Sequence, residues 1–273
     1  MPLARVNDTE LYYIEHGKGL PCLVMHGGMG FDHTYLHPWL DPLGDVLHLV
    51  YYDHRGNGRS GRPPIETLTY EQYAADANAL REHLGFEKVA VIGHSAGGFV
   101  ALKYAILYPQ YLSHLILVDT APARYNDEEV KENIERKGVT PEMRAALDGP
   151  EPSTIEEVQR MSRILGSLCF YKYDAKLADE VFGKMIRSLE AGKRDEELLK
   201  TYNVVPHLSE IQAPTLILVG RDDFICPPSQ AERMHKGIPE SELVIFERSG
   251  HNPYVKEPDA FFSTVRRWIR KRP

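Results

Sequence analysis

Short apolar runs, each ended by polar or glycine-rich residues, set the tightest limit on what this chain can fold into. Segments 22–25, 47–52, 89–92 and 115–118 are too short for helices and lack polar alternation, as expected of strands buried on both faces of a sheet. Between them, residues 70–84 place Tyr73, Ala77, Leu80 and Leu84 at three- and four-residue spacing, and 96–108 reads as a more apolar helix stopping before Pro109. Strands and helices alternating in this way make βα units, so the fold class is α/β with a mostly parallel central sheet flanked by helices. Residues 10–15 alternate polar with apolar and read as an edge strand.

The pattern breaks near residue 123. From there to 206 the chain carries charged clusters, helical periodicity and proline breaks at Pro141, Pro150 and Pro152, with no strand candidate. Strands resume at 215–219 and 243–246, and a final amphipathic segment aligns Phe261, Phe262, Val265, Trp268 and Ile269 on one face. The organisation is therefore a core domain, 1–122 and 207–273, interrupted by a helical insertion, 123–206.

Composition closes off several function classes. With 42% hydrophobic and 26% charged residues, the 273-residue chain is neither disordered nor fibrous. A net charge of −7 gives no general attraction to nucleic acid or to an anionic membrane surface. No segment approaches the ~18 uninterrupted apolar residues of a membrane span, and the N-terminus has no basic stretch leading into an apolar run. Cys22, Cys169 and Cys226 form no CxxC pair, which argues against a disulfide framework or a zinc knuckle. These features lead us to expect a cytoplasmic protein.

The residues that carry chemistry begin with Gly93-His94-Ser95-Ala96-Gly97, directly after the 89–92 run and directly before a helix. A sharp strand-to-helix turn needs small flanking residues and lifts its central hydroxyl onto the end of the sheet. The helix start adds free N–H groups and a positive dipole end, which favour negative charge on a reacting oxygen. A serine at its free pKa is a weak nucleophile and needs a base, which in turn needs an orienting group. Both follow in order: Gly220-Arg221-Asp222-Asp223 after the 215–219 strand, and Ser249-Gly250-His251-Asn252 after the 243–246 strand. Each lies beyond the carboxyl end of a strand, where open α/β sheets build their sites. His26-Gly27-Gly28-Met29-Gly30, after the 22–25 strand, offers the Gly28 N–H as an oxyanion donor beside that of Ala96.

These motifs, together with Asp53-His54-Arg55-Gly56-Asn57-Gly58-Arg59-Ser60, Pro227 and the stretch from Ser249 to Pro258, resemble those of the α/β-hydrolase superfamily along essentially the whole chain. Several are similar to the branch of small carboxylesterases and proline iminopeptidases. The resemblance implies an α/β-hydrolase fold, a helical cap at 123–206, and a cofactor-free hydrolase with a Ser95, Asp223, His251 triad. Flanking Gly220 and Pro227 favour Asp223 over Asp222, while Asp119 competes because some relatives carry the acid one strand earlier. Ala96 stands where proline iminopeptidases usually carry tryptophan, and the insertion is compact, which points away from peptidase activity. Related dehalogenases and epoxide hydrolases use an aspartate where this chain has Ser95.

Other features read as structure. Residues 53–60 lack the GK[ST] ending of a phosphate loop, so Asp53 and Arg55 are expected to tie turns together. The histidines show no HExxH or H-x-E-x-H spacing, so no metal site is expected, and His33, His37, His48, His54, His83 and His94 read as surface or packing residues. Lys131, Glu132, Glu135, Arg136 and Lys137 read as a solvated helical face. Tyr125, Met161, Leu165, Phe170, Tyr171, Tyr173 and Phe182 mark the part of the insertion expected to close a pocket. The acids Glu156, Glu157, Asp174, Asp179 and Glu180 alternate with bases and read as helix surface, so the expected substrate is a small molecule with a neutral acyl group. The reading is thus a serine hydrolase of carboxylic esters, and of lactones or small amides, acting through an acyl-enzyme. The same constellation would serve an aminopeptidase, a carbon–carbon bond hydrolase, a cofactor-free perhydrolase, or a small-molecule receptor without turnover.

Overall fold

The computed structural model describes residues 2–124, 127–150, 152–172 and 174–272. Strands β1 (Leu3–Val6), β2 (Thr9–His16), β3 (Leu20–Met25), β4 (Leu47–Tyr52), β5 (Val89–His94), β6 (Leu112–Val118), β7 (Thr215–Gly220) and β8 (Ser241–Phe246) form one eight-stranded sheet in the order β1-β2-β4-β3-β5-β6-β7-β8. The β1–β2 and β2–β4 pairs are antiparallel and the rest are parallel. Segment 10–15 lies one place inside the edge that the sequence suggested. The four residues of β1 cover it, turning back through Asn7 at φ 49°, and only Ala4 and Val6 point inward. So short a strand leaves little periodicity to read.

Alternate residues of the central strands feed opposite faces, as a period of two requires. Leu23, Met25, Val89 and Val91 enter one core, while Cys22, Val24, Ala90 and Ile92 enter the other. Helices α1 (Tyr70–His83) and α2 (Ala96–Leu107) cover the first face through Tyr73, Ala77, Leu80, Phe99 and Val100. Among the described residues five α-helices follow between β6 and β7: α3 (Asp127–Lys137), α4 (Pro141–Leu147), α5 (Ile155–Leu165), α6 (Ala175–Phe182) and α7 (Leu189–Leu199). A single antiparallel bridge, Ala123 to Asn203, draws the two ends of this insertion together. Helix α8 (Pro228–Gly237) returns to the first face, the short α9 (Pro253–Lys256) follows β8, and α10 (Pro258–Arg270) packs Phe261, Val265 and Trp268 into the second core.

The glycine-rich segment 53–60 is a strut. Buried Arg55 spans Asp76 at 2.5 Å and Asp8 at 2.8 Å. Burial opposes charge on Asp53, but hydrogen bonds and charge from His33 outweigh it and hold the carboxyl at about 2. Among the described residues no helix is long and apolar enough to cross a membrane.

Candidate active site

Ser95 sits between β5 and α2 at φ 55°, ψ −127°, a backbone conformation that costs on the order of 1–3 kcal/mol for a non-glycine residue. The surroundings over-determine it. Its N–H donates to the Val118 carbonyl at 3.0 Å, and its carbonyl accepts from Gly98 N–H at 2.8 Å and Thr120 Oγ1 at 2.7 Å. Gly97 lets α2 start against the end of β3, since a Cβ there would lie 2.1 Å from the Met25 carbonyl oxygen. The turn thus aims the serine out of the sheet at the carboxyl ends of the strands.

The loop after β7 brings Asp223 to His251: Nδ1 stands 2.7 Å from Oδ2 of the carboxylate. The other oxygen, Oδ1, accepts the N–H groups of Ile225 at 2.9 Å and Cys226 at 3.1 Å. Burial works against charge on Asp223, but His251 and these donors hold it below its ordinary value. Neither rival acid meets the histidine ring. Asp222 turns outward onto Lys137 Nζ, and Asp119 accepts Gly220 N–H at 2.9 Å through Oδ1. Burial first, then the charge of Asp223, push the Asp119 carboxyl well above its ordinary value, which favours its neutral form. Ser95 and His251 line the same cavity with no hydrogen bond between Oγ and Nε2. Such contacts often tighten only when a ligand is bound.

Gly28, at φ 50°, and Ala96, the first residue of α2, also line this cavity. Ala96 N–H is one of the first-turn donors that a helix leaves without an intrahelical partner. The neighbouring Gly27 N–H is occupied instead by the Tyr35 hydroxyl at 2.6 Å. That hydroxyl is 2.9 Å from His94 Nδ1, and His94 Nε2 is 2.8 Å from the His251 carbonyl oxygen. With Nε2–H donating to the carbonyl, Nδ1 must accept from Tyr35. Burial and the neighbouring His251 lower His94 to about 3, which keeps this tautomer neutral. His94 is therefore a packing residue, as read from the sequence, that ties three site loops together. Tyr35 carried no sequence signal for that role.

The cavity is about 330 Å³ and mostly apolar, with Phe31, Phe99, Leu165, Phe182 and Leu199 in its wall. Of the aromatic and aliphatic residues expected in the insertion, Leu165 and Phe182 reach it. Phe170 is buried in the second core, Tyr171 is exposed, and Tyr125 and Tyr173 lie outside the described residues. Lys137 departs from the expected solvated face: its side chain is buried and reaches Asp222 and the Phe170 carbonyl, clamping α3 to the loop that carries Asp223. Asp174 caps α6, and Asp179 and Glu180 are exposed.

Two charged residues in the wall escaped the sequence. Asp195 lies in α7 one turn from both Ala191 and Leu199, so its inward face was readable from i, i+4 spacing. It accepts the Tyr70 hydroxyl at 2.7 Å, and burial raises its carboxyl to about 6. Arg187 lies in the extended link between α6 and α7, with its guanidinium carbon 4.7 Å from the Phe31 ring centre. No helical period marks such a segment.

Among the described residues two clusters could offer metal ligands, and both are already satisfied. Asp32, His33 and Asp53 gather their ligand atoms within 4.8 Å, but Arg59 takes Asp32 at 2.8 Å and stands 3.6 Å from Asp53. In the group Asp223, Cys226 and His251, burial pushes the Cys226 thiol well above its usual range, away from the thiolate that a metal needs.

The chain matches the alpha/beta hydrolase fold family over residues 21–258. It is 30% identical to the proline iminopeptidase PfmaB of Pestalotiopsis fici, over 97% of this chain and 98% of that protein. It is 27% identical to a putative carbamate hydrolase, RutD, of Rhizobium rhizogenes, over 96% and 98%. Among solved structures, a thermophilic esterase from Thermogutta terrifontis superposes with a TM-score of 0.77 at 26% identity, covering 99% of both chains. An esterase from Exiguobacterium antarcticum gives 0.79 at 24% identity, covering 98% of both. With a family match over residues 21–258 and a 30% identical relative over 97% of the chain, the eight-stranded sheet and the serine and carboxylate-bound histidine at its strand ends belong to an enzyme of the α/β-hydrolase family.

Proposed function

We propose that the enzyme cleaves carboxylic esters of small acids through a covalent acyl-enzyme, with the inserted helices as a cap over the site. Ser95 Oγ attacks the carbonyl carbon while His251 Nε2 takes its proton, and the electron pair displaced onto the carbonyl oxygen is received by the N–H groups of Gly28 and Ala96. Collapse expels the alkoxide, which leaves with the proton from His251. Water, deprotonated by His251, then releases the acid and restores Ser95. Asp223 keeps the proton on Nδ1, so that Nε2 is free to accept. One observation carries this reading: the 2.7 Å Asp223–His251 contact opens onto the same apolar cavity as the strained Ser95.

The test is turnover of short p-nitrophenyl esters by the wild type and by Ser95→Ala. The variant should keep its circular dichroism spectrum and lose about 10⁶-fold in turnover. Retention of more than about a hundredth of the rate would remove Ser95 from the mechanism.

A second reading, removal of an N-terminal proline, draws support from Asp195, which could pair a cationic amine, and from the 30% identical relative. Arg187 in the same wall disfavours a cation, and Asp195 already serves Tyr70. The ester should therefore show a higher kcat/KM than a prolyl arylamide. A prolyl preference abolished by Asp195→Asn would establish the peptidase instead.

A further inference from the structure

Arg187 is 9% exposed, and its Nη1 has no hydrogen-bond partner. Its guanidinium carbon lies over the Phe31 ring, 4.7 Å from the ring centre. Asp32, whose charge attracts it, is engaged elsewhere: Thr34 N–H and Oγ1 bond to its Oδ1, and Arg59 holds its Oδ2 at 2.8 Å. Burial pulls the guanidinium down to about 10, which leaves it charged at neutral pH. Buried charges in proteins are normally paired, because an unpaired one forfeits its hydration without compensation. Arg187 lines the cavity that holds Ser95, Gly28 and His251, and two smaller neighbouring cavities as well. Asp195, the acid in the same wall, already accepts a hydroxyl. Arg187 is therefore the charged group of this wall that still has a donor without a partner, and an anion would supply one.

We infer that Arg187 is a specificity residue which receives a free carboxylate of the substrate, so that the preferred ligands are small esters bearing one carboxylate in addition to the scissile bond. A planar guanidinium suits a carboxylate through paired N–H···O contacts, and Phe31 stacked on it fixes the plane of the fork. The apolar remainder of the wall would hold the chain between the two ends. This departs from the neutral acyl group expected from the sequence, and it rests on the ester-hydrolase reading only for the bond that is cut.

Binding separates the two ideas. Monomethyl adipate and its uncharged counterpart, methyl adipamate, are titrated calorimetrically into Ser95→Ala and into Ser95→Ala carrying Arg187→Gln or Arg187→Lys. Each protein's thermal unfolding is recorded first to confirm folding. The anion should bind Ser95→Ala roughly ten- to hundredfold more tightly than the amide, as a charge-assisted bond in a dry site supplies. Arg187→Gln should erase that advantage, and Arg187→Lys should keep part of it. Equal affinities for acid and amide, or an advantage that survives Arg187→Gln, would overturn the assignment. In the active enzyme, mono-p-nitrophenyl adipate should show a lower KM than p-nitrophenyl hexanoate, and Arg187→Gln should raise only the former. If no aryl ester gave Ser95-dependent turnover, the ester reading would fall while the calorimetry still decided the arginine.

Discussion

Asp119 and Asp223 are fully buried carboxyl groups close enough to share a proton, and two like charges cannot both persist in one dry site. His251 and two backbone donors secure the charge on Asp223, so the proton stays on Asp119. An amide is a fair substitute for a protonated acid and a poor one for a carboxylate. Asp119→Asn should therefore keep kcat/KM on a short aryl ester within a few-fold of wild type. Asp223→Asn should lose about 10⁴-fold, the loss seen in a serine protease when this exchange favours the wrong tautomer. Asp222→Asn should again cost a few-fold at most, because its partner is Lys137 and not the histidine ring. A larger loss for Asp119→Asn than for Asp223→Asn would reverse the assignment.

At the level of elements, the elbow works because a helix begins almost in contact with a neighbouring strand. Gly97→Ala drives a methyl group into the Met25 and His26 carbonyls, rigid backbone that cannot turn aside. Overpacking of this kind typically costs about 1–3 kcal/mol or more, and any relief must come from moving α2, which carries Ser95. Gly85 is the control. It lies at φ 73° with nothing within 4 Å of the added methyl, so Gly85→Ala suffers only the left-handed backbone term, about 1–2 kcal/mol. Urea unfolding and ester turnover of both variants should show Gly97→Ala less stable and nearly inactive. Gly85→Ala should be destabilised yet fully active. Equal activity in the two would mean that the turn tolerates displacement.

Over the whole molecule, buried histidines set the acid limit of the fold. Burial lowers His26, His54 and His94, the last to about 3, so the folded chain keeps them neutral. The unfolded chain protonates them below about 6.5, where it binds more protons than the folded one. Their contribution is whole above that pH and is lost as pH falls, at about 1.4 kcal/mol per unit for each histidine, down to about 3 for His94. Asp53 and Asp223, held low, add a further loss below about 4. Asp119 and Asp195, whose raised carboxyls take up protons in the folded chain, offset part of this, so urea denaturation between pH 7 and pH 4.5 should show stability falling, but by less than three histidines alone would give. His54→Phe should flatten the slope, since both ring nitrogens of His54 lack side-chain partners and its contacts are with Tyr52, Tyr73 and His26. A flat wild-type profile would contradict the depressed values.

Much of the site was legible because its geometry is local. A glycine-flanked serine between an apolar run and a helix, and an acid and a histidine each just beyond a strand, mark the ends of strands that any parallel sheet gathers on one side. Local sequence could not choose between Asp222 and Asp223, since adjacent residues in a loop differ only in direction, and direction is set by Lys137 arriving from a helix 85 positions earlier. Nor could it show that β1 covers β2, that Tyr35 and His94 bind three loops together, or that Arg187 reaches the cavity from a link without helical period. Periodicity and turn chemistry act over a few residues, and those determined the class of fold and marked the candidate reacting groups. The protonation of Asp119, the partner of each acid and the charge in the substrate cavity depend on what distant segments bring alongside, and tertiary packing alone decided them.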